Sequence, residues 1–197
     1  MDQQQLAQAM DLFAERDAWM VSIGELRDYF DDYSAGMKVM MHRHVSAGIV
    51  HRVMPGIYMH AKAHRRRKLR LDALVRCMRP NDYVYVSLDT AVNVHDGQLK
   101  PNKLRMMTDG RSYDYKCDRD LFDVLFGLKL DAIEFRHTKR SQEQIDAGLS
   151  GQLFKGLPLA TRAAAVADMT RTGCKLPRPE PTRGVHFSDL RPAAAAA

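Results

Sequence analysis

The stretch that most constrains the fold is residues 34–60, SAGMKVMMHRHVSAGIVHRVMPGIYMH. Its first half has the spacing of a helix over residues 35–47, with Ser34 as the expected N-cap and Gly48 as the stop. Strand-forming residues then flank Met-Pro-Gly at 54–56, which is the composition of two short strands around a turn. We therefore predict a helix followed directly by a β-hairpin.

Two more helices are predicted before this unit. Residues 3–18 space their apolar side chains as an amphipathic helix does. Ser22, followed three residues later by Glu25, forms a capping-box pattern that opens a second helix through about Phe30. Three helices and a hairpin follow the order of a winged helix-turn-helix, in which the third helix enters the major groove of DNA. The sequence thus predicts a DNA-binding domain over residues 1–62.

The third helix divides its side chains between two faces at about 100° per residue. One face groups three methionines with His44 and Val45, which is typical of packing against the first two helices. The opposite face is basic, and we expect it to contact bases and phosphates through Lys38, His42, Arg43 and Ser46. On the first hairpin strand, His51 and Arg52 are expected to contact phosphates.

Charge is distributed very unevenly along the chain. The first 35 residues carry a net charge of −5, whereas residues 36–80 carry +10 and five of the eight histidines. The densest positive run, HRRRKLR, reads as the start of a basic helix. It would extend the DNA footprint, or contact RNA or an acidic partner, through Arg65, Arg66, Arg67, Lys68 and Arg70. A solvated helix face has the same composition, so both interpretations stay open.

The remainder predicts a mixed α/β domain over residues 63–175. Its expected elements are a strand at 83–88, a short helix at 87–97 capped by Ser87, a hairpin at 103–117, short strands over 117–138 and a helix over 157–173 that ends at Gly173. Residues 176–197 are rich in proline and alanine and are expected to form an extended tail. The predicted fold class is α+β, with an N-terminal winged helix-turn-helix followed by a mixed α/β C-terminal domain.

Several classes of protein are disfavoured by composition. No apolar run reaches the roughly 20 residues of a membrane-spanning helix, and the N-terminus lacks the pattern of a secretory signal, so we expect a cytoplasmic protein. Three cysteines lie far apart without metal-ligand spacing, which favours free thiols.

Motifs for catalysis are sparse. The chain has no HExxH, no glycine-rich phosphate loop and no GxSxG. Asp131 with Glu134 and the following residues hints at a nuclease-like carboxylate pair, but Arg136 stands where such enzymes normally hold a lysine. We therefore expect no enzymatic activity, no catalytic residues, no metal and no cofactor.

Four stretches resemble successive signatures of the AbiEi-type antitoxins. SAGIVHRVMPGIYMH is similar to the end of that family's N-terminal winged helix, and DYVYVSLDTAVNVHDGQL to the signature that follows it. PNKLRMMTDGR resembles the next strand with its turn, and LPLATRAAAVADM a later helix. Their common order and spacing extend the resemblance over roughly residues 5–170.

The resemblance implies the antitoxin of a type IV toxin–antitoxin system. In that family the N-terminal domain represses its own operon by binding double-stranded operator DNA with inverted repeats. The C-terminal domain opposes a nucleotidyltransferase-type toxin, by direct or indirect action. Two alternatives stay open: a winged-helix regulator of a mobile element without a toxin partner, and a nucleic-acid-processing enzyme with a winged-helix head.

Overall fold

A computed structural model of the chain describes residues 2–63, 69–98 and 102–174, which form an α+β fold with two sheets. The elements in chain order are α1 (Gln3–Glu15), β1 (Met20–Ser22), α2 (Ile23–Phe30), α3 (Met37–Ser46), β2 (Val50–Met54), β3 (Ile57–His60), α4 (Leu71–Met78), β4 (Val84–Val86), α5 (Leu88–His95), β5 (Lys103–Thr108), β6 (Tyr113–Lys116), α6 (Arg119–Phe126), β7 (Ala132–His137), α7 (Gln142–Asp146), β8 (Leu149–Phe154), β9 (Leu157–Ala160) and α8 (Arg162–Thr172).

The N-terminal elements form three helices and a small antiparallel sheet. Strand β3 lies in the middle of this sheet, paired with β1 on one side and with β2 on the other. The predicted hairpin is confirmed, with Pro55 and Gly56 in the turn and Gly56 at a φ of +79°. Strand β1 was not predicted, because three residues are too short to establish an alternating pattern.

Helix α3 begins later than predicted. Ser34 is not its N-cap; Gly36 occupies that position without a side-chain hydrogen bond, and the backbone N–H of Ser34 donates to Asp32 instead. Gly48 follows the helix at a φ of +71°, as its predicted role as the stop requires. The two-faced helix is confirmed, because the structure buries Met37, Met41 and His44 and exposes Lys38, His42, Arg43 and Ser46.

The larger sheet has six strands in the order β6-β7-β5-β4-β9-β8. The pairs β5–β7 and β4–β9 are parallel, and the other pairs are antiparallel. Helix α5 packs against β5 and against α8. The strand predicted at 83–88 is confirmed as β4. The helix predicted over 157–173 is wrong in its first turn: residues 157–160 form strand β9, and the helix begins at Arg162 with Thr161 as its N-cap.

The hairpin predicted at 103–117 is wrong. Strand β7 lies between β5 and β6, parallel to the first and antiparallel to the second. Its central residues Ile133, Glu134 and Phe135 are buried, whereas β6 is largely exposed at the sheet edge. The turn near Asp109 and Gly110 reverses the chain, but the more apolar β7 takes the inner position beside β5 because it buries more apolar surface there.

The strand segments expected over 117–138 are also partly wrong, because residues 119–126 form helix α6. Asp118 caps this helix by accepting a hydrogen bond from the N–H of Leu121 at 3.1 Å. The helix ends at Gly127, whose φ of +65° is left-handed. Its buried side chains Phe122, Leu125 and Phe126 follow helical spacing, which the short apolar run concealed.

Two clusters of buried side chains hold the fold together. The smaller packs the first three helices on the small sheet through residues that include Leu6, Met10, Leu26, Met37, Met41, Val50 and Tyr58. The larger cluster lies between the six-stranded sheet and the helices packed on it. It continues into the small sheet through Met20, Val53, Met54, Ile57 and Met59. This packing crosses the domain boundary expected at residue 62.

Candidate nucleic-acid interface

The exposed face of α3 and the hairpin beside it share one groove. The groove has a volume of about 460 Å³, and Lys38 and His42 from α3 line it together with Arg52 from β2. Its remaining wall is mainly apolar: Ile23, Val45, Pro55, Gly56 and Tyr58. The fold therefore brings together three of the basic side chains predicted as a DNA-binding set from two separate segments.

Three cations on this surface are not neutralised by carboxylates of the described residues. Within the described residues, Lys38, Arg43 and Arg52 form no ion pair. By contrast, Arg105 and Arg136 in the large sheet each contact two carboxylates. A cation without a neighbouring carboxylate contributes its full field to an approaching polyanion.

Ser46 and His51 occupy different positions relative to this groove. The Ser46 hydroxyl donates to the backbone oxygen of His42 at 3.1 Å, so it offers an outside partner only its acceptor lone pairs. His51 is exposed on β2, next to Arg52. Neither Ser46 nor His51 lines the groove. Arg43 is exposed on α3 and also lies outside the groove lining.

Tyr58 was not predicted as part of the site. It lies on the central strand β3 opposite Arg52, and its side chain lines the groove although it is largely buried. Burial raises the pKa of its hydroxyl, so the group stays protonated and can donate a hydrogen bond. The sequence pattern indicated a strand here, but it did not indicate which helix would face it.

The predicted basic run divides at the edge of the described residues. Arg65, Arg66, Arg67 and Lys68 lie outside the described residues. Arg70 is exposed, but two of its guanidinium nitrogens donate to Asp72, at 3.0 and 2.8 Å. Asp72 therefore offsets part of the charge of Arg70. The offset is incomplete because Arg76 contacts the same carboxylate at 2.9 Å.

His44 points away from the groove, on the inner face of α3. It is buried, and neither ring nitrogen has a hydrogen-bond partner within the described residues. Burial lowers the pKa of its imidazole, which keeps the ring neutral. Its role is in the packing of α3 against the helices behind it.

Glu134, Ser87 and two of the cysteines are polar or ionisable residues outside the groove, and each has a contact or a burial that fits a structural role. The carboxylate of Glu134 accepts hydrogen bonds from Lys103 and Arg105, each at 2.8 Å. Ser87 precedes α5 but does not cap it, because its hydroxyl donates to Asp168 at 2.7 Å. Burial raises the pKa values of Cys77 and Cys117 to about 12, so both thiols stay protonated at neutral pH.

Two other features are absent from the described residues. In the part of the chain that the structure describes, no group of three or more histidine, cysteine, aspartate or glutamate side chains could hold a metal ion. Across residues 2–63, 69–98 and 102–174, no helix is both long and apolar enough to cross a lipid bilayer.

Comparison with protein-family models, curated proteins and solved structures finds no match for the chain. A proposal of function therefore rests on the arrangement of α3, the hairpin and their cations.

Proposed function

We propose that this chain is a DNA-binding transcriptional repressor whose N-terminal elements form a winged helix-turn-helix. The observation that carries the proposal is the shared groove, to which α3 contributes Lys38 and His42 and the hairpin contributes Arg52. The order of elements supports it, because β3 lies between β1 and β2 and α3 is exposed beside the hairpin. A winged helix reads DNA with an exposed third helix and a neighbouring hairpin.

In this proposal α3 enters the major groove and the hairpin follows the adjacent backbone. Arg43 pairs with guanine O6 and N7, the commonest specific contact of an arginine with DNA. Lys38 and Arg52 bind phosphates on either side and thereby set the position of the helix. His42 supplies a further polar contact to a base or a phosphate, and Ser46 accepts a hydrogen bond from the amino group of a base.

The resemblance to AbiEi-type antitoxins motivates a more specific form of the proposal. The repressor acts on its own operon by binding double-stranded DNA with inverted repeats. It is also the antitoxin of a type IV pair and opposes a nucleotidyltransferase-type toxin encoded beside it.

DNA binding is tested by fluorescence anisotropy with two DNA duplexes, one from upstream of the chain's own gene and one of scrambled sequence. Arg43→Ala should weaken binding to the upstream duplex by about 1–3 kcal/mol and binding to the scrambled duplex much less. Lys38→Ala and Arg52→Ala should weaken binding to both duplexes by similar factors.

The matched controls are Lys116→Ala, at the end of β6, and Lys155→Ala, in the turn between β8 and β9; both remove exposed cations. Each control removes one positive charge, as the test variants do, but at a place outside the proposed interface. Circular dichroism checks that all variants keep the fold. Equal losses in controls and test variants would contradict a specific interface on α3.

The antitoxin role has a separate test. Co-expression with the product of the adjacent gene should restore growth when that product alone is toxic. If the chain binds upstream DNA but never restores growth, the proposed repressor role stands and the proposed antitoxin role is overturned.

A further inference from the structure

A second cavity lies in the C-terminal half, at the end of β7 and α8. Its volume is about 510 Å³, within the range of small-molecule sites. Its lining includes three cations, Lys139, Arg140 and Arg171, together with His137. Asp168 is the one carboxylate among the lining residues, so with a neutral histidine the wall carries a net charge of +2. Such a wall favours an anion.

Arg140 forms an ion pair with a buried carboxylate. Its side chain is 11% exposed, and one guanidinium nitrogen lies 2.9 Å from Oδ1 of Asp168, which is 1% exposed. The backbone N–H of Arg140 also donates to the hydroxyl of Thr138 at 3.2 Å. The Oδ1 of Asp168 accepts no hydrogen bond within the described residues, so the N–H groups of Arg140 remain for a ligand. The low exposure of the Arg140 side chain limits the entropy that it loses on binding.

Asp168 is itself fixed from the other side. Its Oδ2 accepts hydrogen bonds from the hydroxyls of Ser87 at 2.7 Å and Tyr85 at 3.3 Å. These two donors come from β4 and from the residue that follows it. The carboxylate and the guanidinium thus form a supported pair, and supported groups of this kind are typical of binding sites.

The other two cations flank the supported pair at the surface. Lys139 precedes Arg140 in the segment before α7, and Arg171 is in the last turn of α8. Both are exposed, and neither forms an ion pair within the described residues. The single carboxylate of Asp168 is engaged with Arg140, so the charges of Lys139 and Arg171 are uncompensated by the lining.

We propose that this cavity binds the phosphate group of a small molecule, with Arg140 as the oriented donor, Lys139 and Arg171 as flanking charges, and Asp168 as a positioning residue. A phosphate group matches the planar fork of an arginine and the point charge of a lysine. The site is additional to the proposed DNA interface and uses none of its residues.

Isothermal titration calorimetry on the full chain tests the proposal with pyrophosphate and adenosine monophosphate as probes. Both probes should bind saturably at one site. The double variant Lys139→Gln/Arg171→Gln should bind at least about tenfold more weakly, because two charge-assisted contacts are lost. The control Lys116→Gln/Lys155→Gln removes the same charge from exposed positions outside the cavity and should leave the affinity unchanged.

Arg140→Lys keeps the charge but removes the fork, so it should also weaken binding by roughly tenfold. Asp168→Asn tests positioning: adenosine monophosphate should bind more weakly while circular dichroism shows an intact fold. If Asp168→Asn fails to fold, Arg140→Lys and the surface double variant still test the site.

A 5′-phosphorylated DNA oligonucleotide separates a small-molecule phosphate from the end of a nucleic acid. Adenosine monophosphate should compete with pyrophosphate at lower concentration than the oligonucleotide does. The proposal is overturned if neither probe binds at millimolar concentration, if the surface double variant binds as wild type does, or if the oligonucleotide competes better. Upstream DNA should bind the double variant normally, so failure of one site is distinguishable from failure of the other.

Discussion

Arg105 and Glu134 face each other across the parallel strands β5 and β7, with Nε of Arg105 2.8 Å from Oε2 of Glu134. Lys103 donates to the other carboxylate oxygen, also at 2.8 Å. Glu134 is only 5% exposed, so this carboxylate depends on its cationic neighbours for the hydrogen bonds that water would supply. Glu134 therefore joins two strands that no turn connects.

Removing this carboxylate should destabilise the fold. Glu134→Ala leaves the cations of Lys103 and Arg105 without their shared acceptor, and we expect the free energy of unfolding to fall by about 3 kcal/mol. Urea denaturation followed by circular dichroism measures the change. Glu15→Ala, at an exposed position at the end of α1, should change stability by at most about 0.5 kcal/mol. Equal effects in the two variants would contradict a structural role for Glu134.

Glu134 should also make stability depend on pH in the acidic range. Burial acts to raise the pKa of this carboxyl, but the hydrogen bonds from Lys103 and Arg105 outweigh it and hold the pKa below the ordinary 4.5. The stabilisation is therefore present above pH 4.5 and is lost as the pH falls through the lower folded-state pKa. Glu134→Gln should flatten this part of the curve of unfolding free energy against pH. An unchanged slope would show that other carboxyls set it.

His44 should make the stability of the fold depend on pH just below neutrality. Burial holds its pKa below 6.5 in the folded chain, so the unfolded chain binds a proton more readily. Stability should fall as the pH drops below 6.5 and level off below the folded-state pKa. His44→Leu removes the titrating group, and its unfolding free energy should exceed that of wild type by about 1 kcal/mol or more at pH 5. Exposed His42→Leu is the control; a similar gain there would refute the explanation.

Gly156 approaches a buried carboxylate closely enough to exclude a side chain. A Cβ at this position would lie 2.8 Å from Oδ1 of Asp72, which also holds Arg70 and Arg76. Gly151 has a similar positive φ of +73° but open space around it. Gly156→Ala should therefore cost about 1–3 kcal/mol more than Gly151→Ala in thermal or urea denaturation. Equal costs would mean that only the backbone conformation matters.

The basic run should control the salt dependence of DNA binding. Each phosphate neutralised on B-DNA contributes about −0.9 to the slope of log affinity against log salt. Replacing Arg65, Arg66 and Arg67 with alanine should therefore flatten the slope by roughly two to three units, on every DNA sequence alike. Anisotropy titrations at several salt concentrations measure it. An unchanged slope would show that the run contacts solvent or another partner, such as RNA or the toxin, and not DNA.

Local sequence was sufficient to predict a helix where nearby side chains mark its start. Ser22 and Glu25 exchange hydrogen bonds with each other's backbone at the start of α2, as their spacing predicts. Helical periodicity likewise separated the buried face of α3 from the face that carries Lys38, His42 and Arg43. Of the eight residues that line the groove, three were therefore among those predicted from the sequence: Lys38, His42 and Arg52.

The wall that completes the groove was not visible. Tyr58 and Arg52 join the side chains of α3 only because β2 and β3 fold back beside that helix. The strand pattern of residues 50–60 indicates a hairpin, but the position of a hairpin on a helix depends on how both bury their apolar faces.

The sequence by itself determined the three helices and the hairpin of the N-terminal half, because these elements depend on contacts between residues close along the chain. It also determined the charge on the exposed face of α3, because that charge follows from residue type and helical spacing. Only the tertiary structure decided that β7 separates β5 from β6, and that Ser87 meets Asp168 81 residues away. Strand order and buried polar pairs are selected by the total apolar surface and hydrogen bonding of the whole fold, and no local pattern encodes them.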